Sequence, residues 1–218
     1  DLRAALRCRP LSLSGICGPP TLQELGDTMV AILVSGPVAE PVTREAAKAH
    51  ARIDGAAEDE RVDALIAAAR AEVENRTGRA LMTQSWRIVR DAVPRGGVVR
   101  LTPAPVVSVD AVTLYGPDGQ PQVVAPDEYE VDLVSAPGRL RLKGGRAWGV
   151  RSMNGFEIDV TAGYGDAADV PAPLKQAILM LVAYWFEQRD AASAGVVAGA
   201  AANGVAALVA PYRMPRLA

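Results

Sequence analysis

Apolar positions recur along this chain with two different periods, and the longer period marks the helices. In residues 170–190, VPAPLKQAILMLVAYWFEQRD, the side chains of Leu174, Ile178, Leu181, Val182 and Trp185 fall on one helical face. Ala177, Met180, Ala183, Tyr184 and Phe186 widen that face beyond a single stripe. The pattern predicts a core helix contacted on more than one side, either by another part of the same chain or by a neighbouring copy. Pro171 and Pro173 suit its entrance, where a missing N–H costs little.

A second helix is predicted from the acids at 58–60 to Gly78, with Val62, Leu65, Ile66, Ala69 and Val73 as its packing face. Glu60, Asp63, Arg70 and Glu74 occupy the opposite face. Thr43 is a candidate N-cap for a shorter helix whose apolar side is Ala46, Ala47, His50 and Ile53.

From Leu81 the period drops to two, the signature of strands with one buried face. Trp86 and Ile88 alternate first, VVRLT and VVSVDAVTLY follow, and Gly116-Pro117-Asp118-Gly119 predicts a turn with a strand returning over 120–124. Tyr129, Val131 and Leu133 alternate, then Leu140 and Leu142, then Phe156, Ile158 and Val160. Strands grouped between helices, without βα repetition, predict an α+β fold: a helical body with an inserted small antiparallel β region.

The predicted organisation is an N-terminal extension over 1–28, an N-terminal helical part over 29–81, the β region over 82–165, the central helix over 166–190, and a C-terminal segment over 191–218. The extension mixes Arg3, Arg7 and Arg9 with a Gly-Pro-Pro turn and shows no sustained period, so it is either poorly ordered or holds a short helix near 22–25. Met29 is an alternative start. The small-residue run AASAGVVAGAAANG reads equally as a linker, a closely packed helix, or a segment ordered against a partner.

Composition narrows the function classes. Half of the residues are apolar but only 5% are aromatic, so burial per residue is modest and assembly is a natural supplement. A net charge of −2 argues against a general electrostatic grip on nucleic acid. One histidine, and two cysteines (Cys8 and Cys17) outside any CxxC pair, argue against a structural zinc site or a disulfide scaffold. The most apolar segment carries Lys175 and Glu187, which argues against a membrane span.

Candidate chemistry is sparse. Residues 144–149, GGRAWG, fit neither a P-loop nor a dinucleotide fingerprint, and His50 has no nucleophile or co-ligand in its vicinity. No catalytic, cofactor or metal residues are assigned. The acidic row Glu128, Glu130 and Asp132 has the same two-residue spacing as the basic row Arg139, Arg141 and Lys143. The two rows either pair across a hairpin or face a neighbouring subunit. Arg139, Arg141, Lys143, Arg146 and Arg151, with Trp148 among them, form the best nucleic-acid candidate, diluted by the acids upstream.

The segments VTREAAKAHARID, DERVDALIAAARAEVENRTGRAL, QSWRI, LTPAPVVSVDAVTLYGPDG, TAGYGDAADVPAPLKQAILMLVAYWFEQRD and ALVAPYR, in this order and spacing, resemble the phage head-tail connector (adaptor) proteins. The resemblance is to the branch typified by a Burkholderia phage protein, which includes gene transfer agent adaptors, and it leaves out residues 1–28.

It implies a commonly dodecameric ring of self-associated copies between a portal protein and a stopper or tail-terminator protein. DNA passes through such a ring without sequence-specific binding, and no membrane is involved. The implied location is the head-tail interface of a virion or phage-like particle assembled in the bacterial cytoplasm. It implies that the C-terminal region reaches the portal, with Leu208, Val209, Pro211, Tyr212, Arg213 and Arg216 as the docking candidates; within the β region, Glu128, Glu130, Asp132, Arg139, Arg141, Lys143 and Trp148 are the candidates for inter-subunit or tail-side contact. The alternatives are a small nucleic-acid-binding or other interaction module and, less favoured, an enzyme of unidentified class.

Overall fold

The computed structural model describes residues 29–94, 96–143, 149–188 and 197–214. The chain is α+β. Strand β1 (Met29–Ser35) precedes helices α1 (Arg44–Ala51) and α2 (Asp59–Thr77). Seven strands follow: β2 (Gln84–Arg90), β3 (Val98–Leu101), β4 (Val106–Tyr115), β5 (Pro121–Val123), β6 (Tyr129–Asp132), β7 (Gly138–Leu142) and β8 (Phe156–Ala162). Helices α3 (Ala172–Glu187) and α4 (Val197–Val209) complete it, with a single-turn 3-10 segment over Ala210–Tyr212.

The helix ends follow capping chemistry. Thr43 accepts a hydrogen bond from the Ala46 N–H at 3.2 Å, opening α1. Gly78 closes α2 with φ 71°, and its N–H reaches the Glu74 carbonyl. Pro171 stands at the N-cap of α3, and its carbonyl accepts from Leu174 and Lys175.

Two hydrophobic cores result. In the first, α3 packs against α1, α2 and α4. Val62, Ile66 and Val73 of α2 meet Leu174, Ile178, Leu181 and Val182 of α3, and Leu65 and Trp185 pack at the margin. Each fully buried Leu or Ile there contributes about 1.5–3 kcal/mol through removal from water. On the short helix α1 only Ala47 is buried; Ala46 and His50 face solvent, contrary to the apolar face predicted for them. The ion pairs of Arg44 with Asp63 and Lys48 with Asp59 join α1 to the start of α2, and Ala47 is the side chain turned into the core.

The second core lies within the β region. One antiparallel sheet has the order β1-β2-β8-β4-β5, and a smaller one the order β3-β7-β6. The central strand β8 alternates strictly, burying Phe156, Ile158, Val160 and Ala162. Phe156, Ile158 and Val160 meet Ile88, Val112, Leu114, Val99, Leu101, Leu140 and Leu142. Strand β1 joins this sheet antiparallel to β2, so the sheet recruits a segment that lies before both N-terminal helices.

The last turn of α2 ties the two cores together. The Glu74 carboxylate accepts from the Leu81 N–H at 2.9 Å, the Gln84 amide at 2.6 Å and Arg70 at 2.8 Å. The Ala80 N–H bonds the Ala104 carbonyl, and the Ala104 N–H bonds the Gly78 carbonyl. Gly163, at the exit from β8, has to be glycine: its φ is 139°, and a Cβ there would stand 2.2 Å from the Met82 carbonyl oxygen.

Candidate interaction surfaces

The C-terminal stretch is a docked element of the body. Small residues let α4 lie close to α3: a Cβ on Gly204 would meet the Met180 methyl at 2.8 Å. Val205 and Val209 are buried in the helical core, and Leu208 and Tyr212 pack at its margin. Beyond the helix, Arg79 Nε donates to the Tyr212 carbonyl at 2.7 Å, and the Met214 N–H donates to the Thr77 carbonyl at 2.9 Å. Burial pushes the neighbouring Tyr164 hydroxyl above its ordinary pKa, although Arg79 nearby opposes this.

This corrects part of the docking assignment. Val209 has no free surface, because its side chain completes the core under α4. Pro211 and Arg213 are exposed and Leu208 and Tyr212 half-buried, while Arg216 lies outside the described residues.

The charged rows meet within one chain. Strands β6 and β7 place Asp132 opposite Arg139 and Glu130 opposite Arg141. Arg139 donates to Asp132 Oδ2 from both Nε (3.0 Å) and Nη2 (2.5 Å). The Ser135 hydroxyl and Arg139 together hold the Asp132 carboxyl well below the usual carboxylate range. Glu128 lies in the 3-10 turn before the strand, not in the row, and its side chain accepts from the Ala125 N–H. Its carbonyl accepts from the Lys143 N–H at 2.8 Å.

Glu130, Asp132, Arg139 and Arg141 line one shallow depression of about 300 Å³ together with Val98 and Val131. Val131 and Leu133, predicted on a buried face, are exposed: Val131 lies on β6, the edge strand of the smaller sheet, and Leu133 follows the strand's end. The basic cluster is dispersed: Arg151 stacks on the Tyr115 ring at 4.3 Å and bonds the Asn154 carbonyl. Arg146 and Trp148, like Cys8 and Cys17, lie outside the described residues.

A third surface lies on the extended apolar run VAILVSGP, residues 30–37, which the sequence marks as extended without giving it a partner. Every residue of β1 is exposed, including Met29, Val30, Ile32, Leu33 and Val34. Beside it, between β2 and the C-terminal end of α2, lies a groove of about 730 Å³. Gln84 Oε1 and Trp86 Nε1 are buried at this groove without a hydrogen-bond partner among the described residues.

Among the described residues no group of three His, Cys, Asp or Glu side chains is placed to hold a metal ion, and no helix is long and apolar enough to cross a membrane. Acids placed near one another face arginines or lysines: Asp59 with Arg44 and Lys48, and Glu157 and Asp159 with Arg87.

A family model described as head completion protein matches residues 41–205. No curated protein matches the chain. Among solved structures, a chain in the virion of a native gene transfer agent (GTA) particle is 27% identical with a TM-score of 0.73, covering 87% of this chain and 97% of its own length. A chain from the neck of an empty GTA particle computed with C6 symmetry is 28% identical with a TM-score of 0.70 and the same two coverages. Another, from the neck of a native GTA particle computed with C12 symmetry, is 29% identical with a TM-score of 0.59, covering 85% of this chain and 98% of its own.

Proposed function

Because the chain belongs to the head completion protein family, we propose that it acts as a structural adaptor in the neck of a phage or phage-like particle, forming a ring that joins the portal to the tail side. The observation that carries this is likeness along 97% of a GTA neck chain, so the whole body of the fold is shared and not one motif of it. The C6 and C12 symmetries of the similar necks support a cyclic arrangement, and a dodecamer satisfies both. Such a protein works by binding on two faces and at its flanks, without turnover.

Portal docking falls on the exposed part of the C-terminal stretch: Pro211 and Arg213, with the half-buried Leu208 and Tyr212 beside them. Because α4 and Met214 are fastened to the body, this element is presented on a rigid support, which lowers the ordering cost of docking. The charged depression on β6 and β7 is the candidate for contact with the stopper or tail-terminator side. DNA passes along the ring axis without base-specific contact, and the ring is assembled in the bacterial cytoplasm.

Particles produced without this chain should accumulate as heads lacking tails, and imaging of complete particles should show it as a ring at the head-tail junction. Tailed particles formed normally in its absence would overturn the reading. Docking is tested by Arg213→Glu in the full chain, which should lower portal attachment while leaving thermal unfolding unchanged. Removing residues 207–218 is a poor test, since it also removes Val209 from the core.

A further inference from the structure

Among the described residues the five-stranded sheet ends in two open edges of different character. At one edge, β1 is apolar along nearly its whole length and exposed on both faces: Met29 and Leu33 look toward the groove, and Val30, Ile32 and Val34 alternate with them. An isolated edge strand of this kind is a template for pairing with another chain, and monomeric proteins normally blunt it with charge or cover. Here the seven residues of β1 contain no charged side chain.

The groove beside β1 adds a second, independent observation. Gln84 is 3% exposed, and its Oε1 has no partner among the described residues; neither has the buried Trp86 Nε1. One orphan is an acceptor and the other a donor, and leaving each unpaired costs about 1–3 kcal/mol. The groove keeps a small excess of positive charge: Arg70 pairs with Glu40 and Glu74, and Arg76 with Glu72, while Arg79 and Arg100 also line it.

The opposite edge has the complementary character. Strand β5 is only three residues long and fully exposed, with Val123 at 75%, and Val107 on the adjacent β4 is 53% exposed. The charges exposed there are acidic: Asp110 on β4 and Asp118 in the turn leading to β5. Thus one edge is apolar with a small positive excess beside it, and the other apolar and acidic.

Resting on the ring reading above, we propose that β1 and its groove receive the β4–β5 edge of the next copy, so that ring closure runs edge to edge through the five-stranded sheet. The contact is head-to-tail: the two surfaces differ and lie about 19 Å apart, four strand spacings across one sheet. A repeated head-to-tail contact closes into a ring when its rotation divides the circle. Pro121 at the start of β5, and the register irregularities of β4 at Val106/Ser108 and Val109/Ala111, keep this edge from adding strands indiscriminately. The contact is therefore specific to a partner that also supplies the matching charge.

The test is disulfide trapping in the full chain within assembled particles, with Cys8→Ser and Cys17→Ser as background. A chain carrying both Val34→Cys and Val123→Cys should give a ladder of covalent multimers on oxidation, and either substitution alone should give monomer. Dimers from Val34→Cys alone would place β1 against a second β1 and overturn the proposal. A ring seen by imaging but yielding no ladder would overturn it while leaving the ring reading intact; particles in which this chain forms no ring would overturn the ring reading itself. A paired measurement covers misfolding: Ile32→Asp with Val34→Asp should abolish ring incorporation at an unchanged unfolding midpoint, and unimpaired incorporation of that variant would also overturn the proposal.

Discussion

Helix α3 and strand β1 are both apolar segments, and the fold treats them in opposite ways. Helix α3 is surrounded by α1, α2 and α4, so that Leu174, Ala177, Ile178 and Val182 are each fully buried. Strand β1 is hydrogen-bonded on one side to β2 and exposed at all seven positions. The first spends its hydrophobicity on folding, and the second keeps it for association. Burial, not apolarity, therefore separates the residues that hold the body together from those available to a neighbour.

That contrast can be broken most severely at α3. Ile178→Ala should lower unfolding stability by about 2–5 kcal/mol in chemical denaturation, through lost transfer energy and the cavity left behind. A smaller loss, about 1.5–3 kcal/mol, is expected from Glu74→Ala, which strips the Leu81 N–H and the Gln84 amide of their acceptor. By contrast Ile32→Asp on β1 should shift stability by no more than about 0.5 kcal/mol, while ring incorporation is lost; a large destabilisation would mean that β1 belongs with α3 as a folding element.

The smallest effect concerns the β6–β7 hairpin. The Asp132 pKa is depressed below its ordinary 3.8, so its contribution to stability is present above that value and disappears as pH falls through the lowered one. Asp132→Asn should remove this acid-side dependence and leave the neutral-pH fold intact, as read by a pH series of unfolding midpoints. An unaltered acid-side profile would show that the Arg139 and Ser135 contacts do not hold the carboxylate in solution.

What could be read in advance follows the same division. The faces of α2 and α3 were legible because bulky side chains at three- and four-residue steps leave one arrangement that buries them. The alternation of β8 was legible for the corresponding reason. The partner of β1 was not, since an apolar run without alternation names neither a face nor a neighbouring strand. The seating of α4 was open as well: alanine and glycine carry little periodic bulk, and Val209 becomes a core residue only when α3 is beside it. The charged rows were legible as a register, but Glu128 was misplaced because the turn at Pro126–Glu128 begins the strand one residue later. The orphaned Gln84 and Trp86 atoms had no signal at all, because satisfaction of a polar group depends on tertiary neighbours.

The junction at the end of α2 also defines a load path. Met214 is attached to the Thr77 carbonyl, and the next residues of the same turn, Gly78 and Ala80, are bonded to Ala104 just before β4. Tension applied at the C-terminal end is therefore shared between α4, through the chain, and the last turn of α2, which is bonded in turn to Ala104 beside the sheet. One turn of α2 thus couples the C-terminal surface to the sheet, so a pull on one is transmitted to the other through the same few bonds.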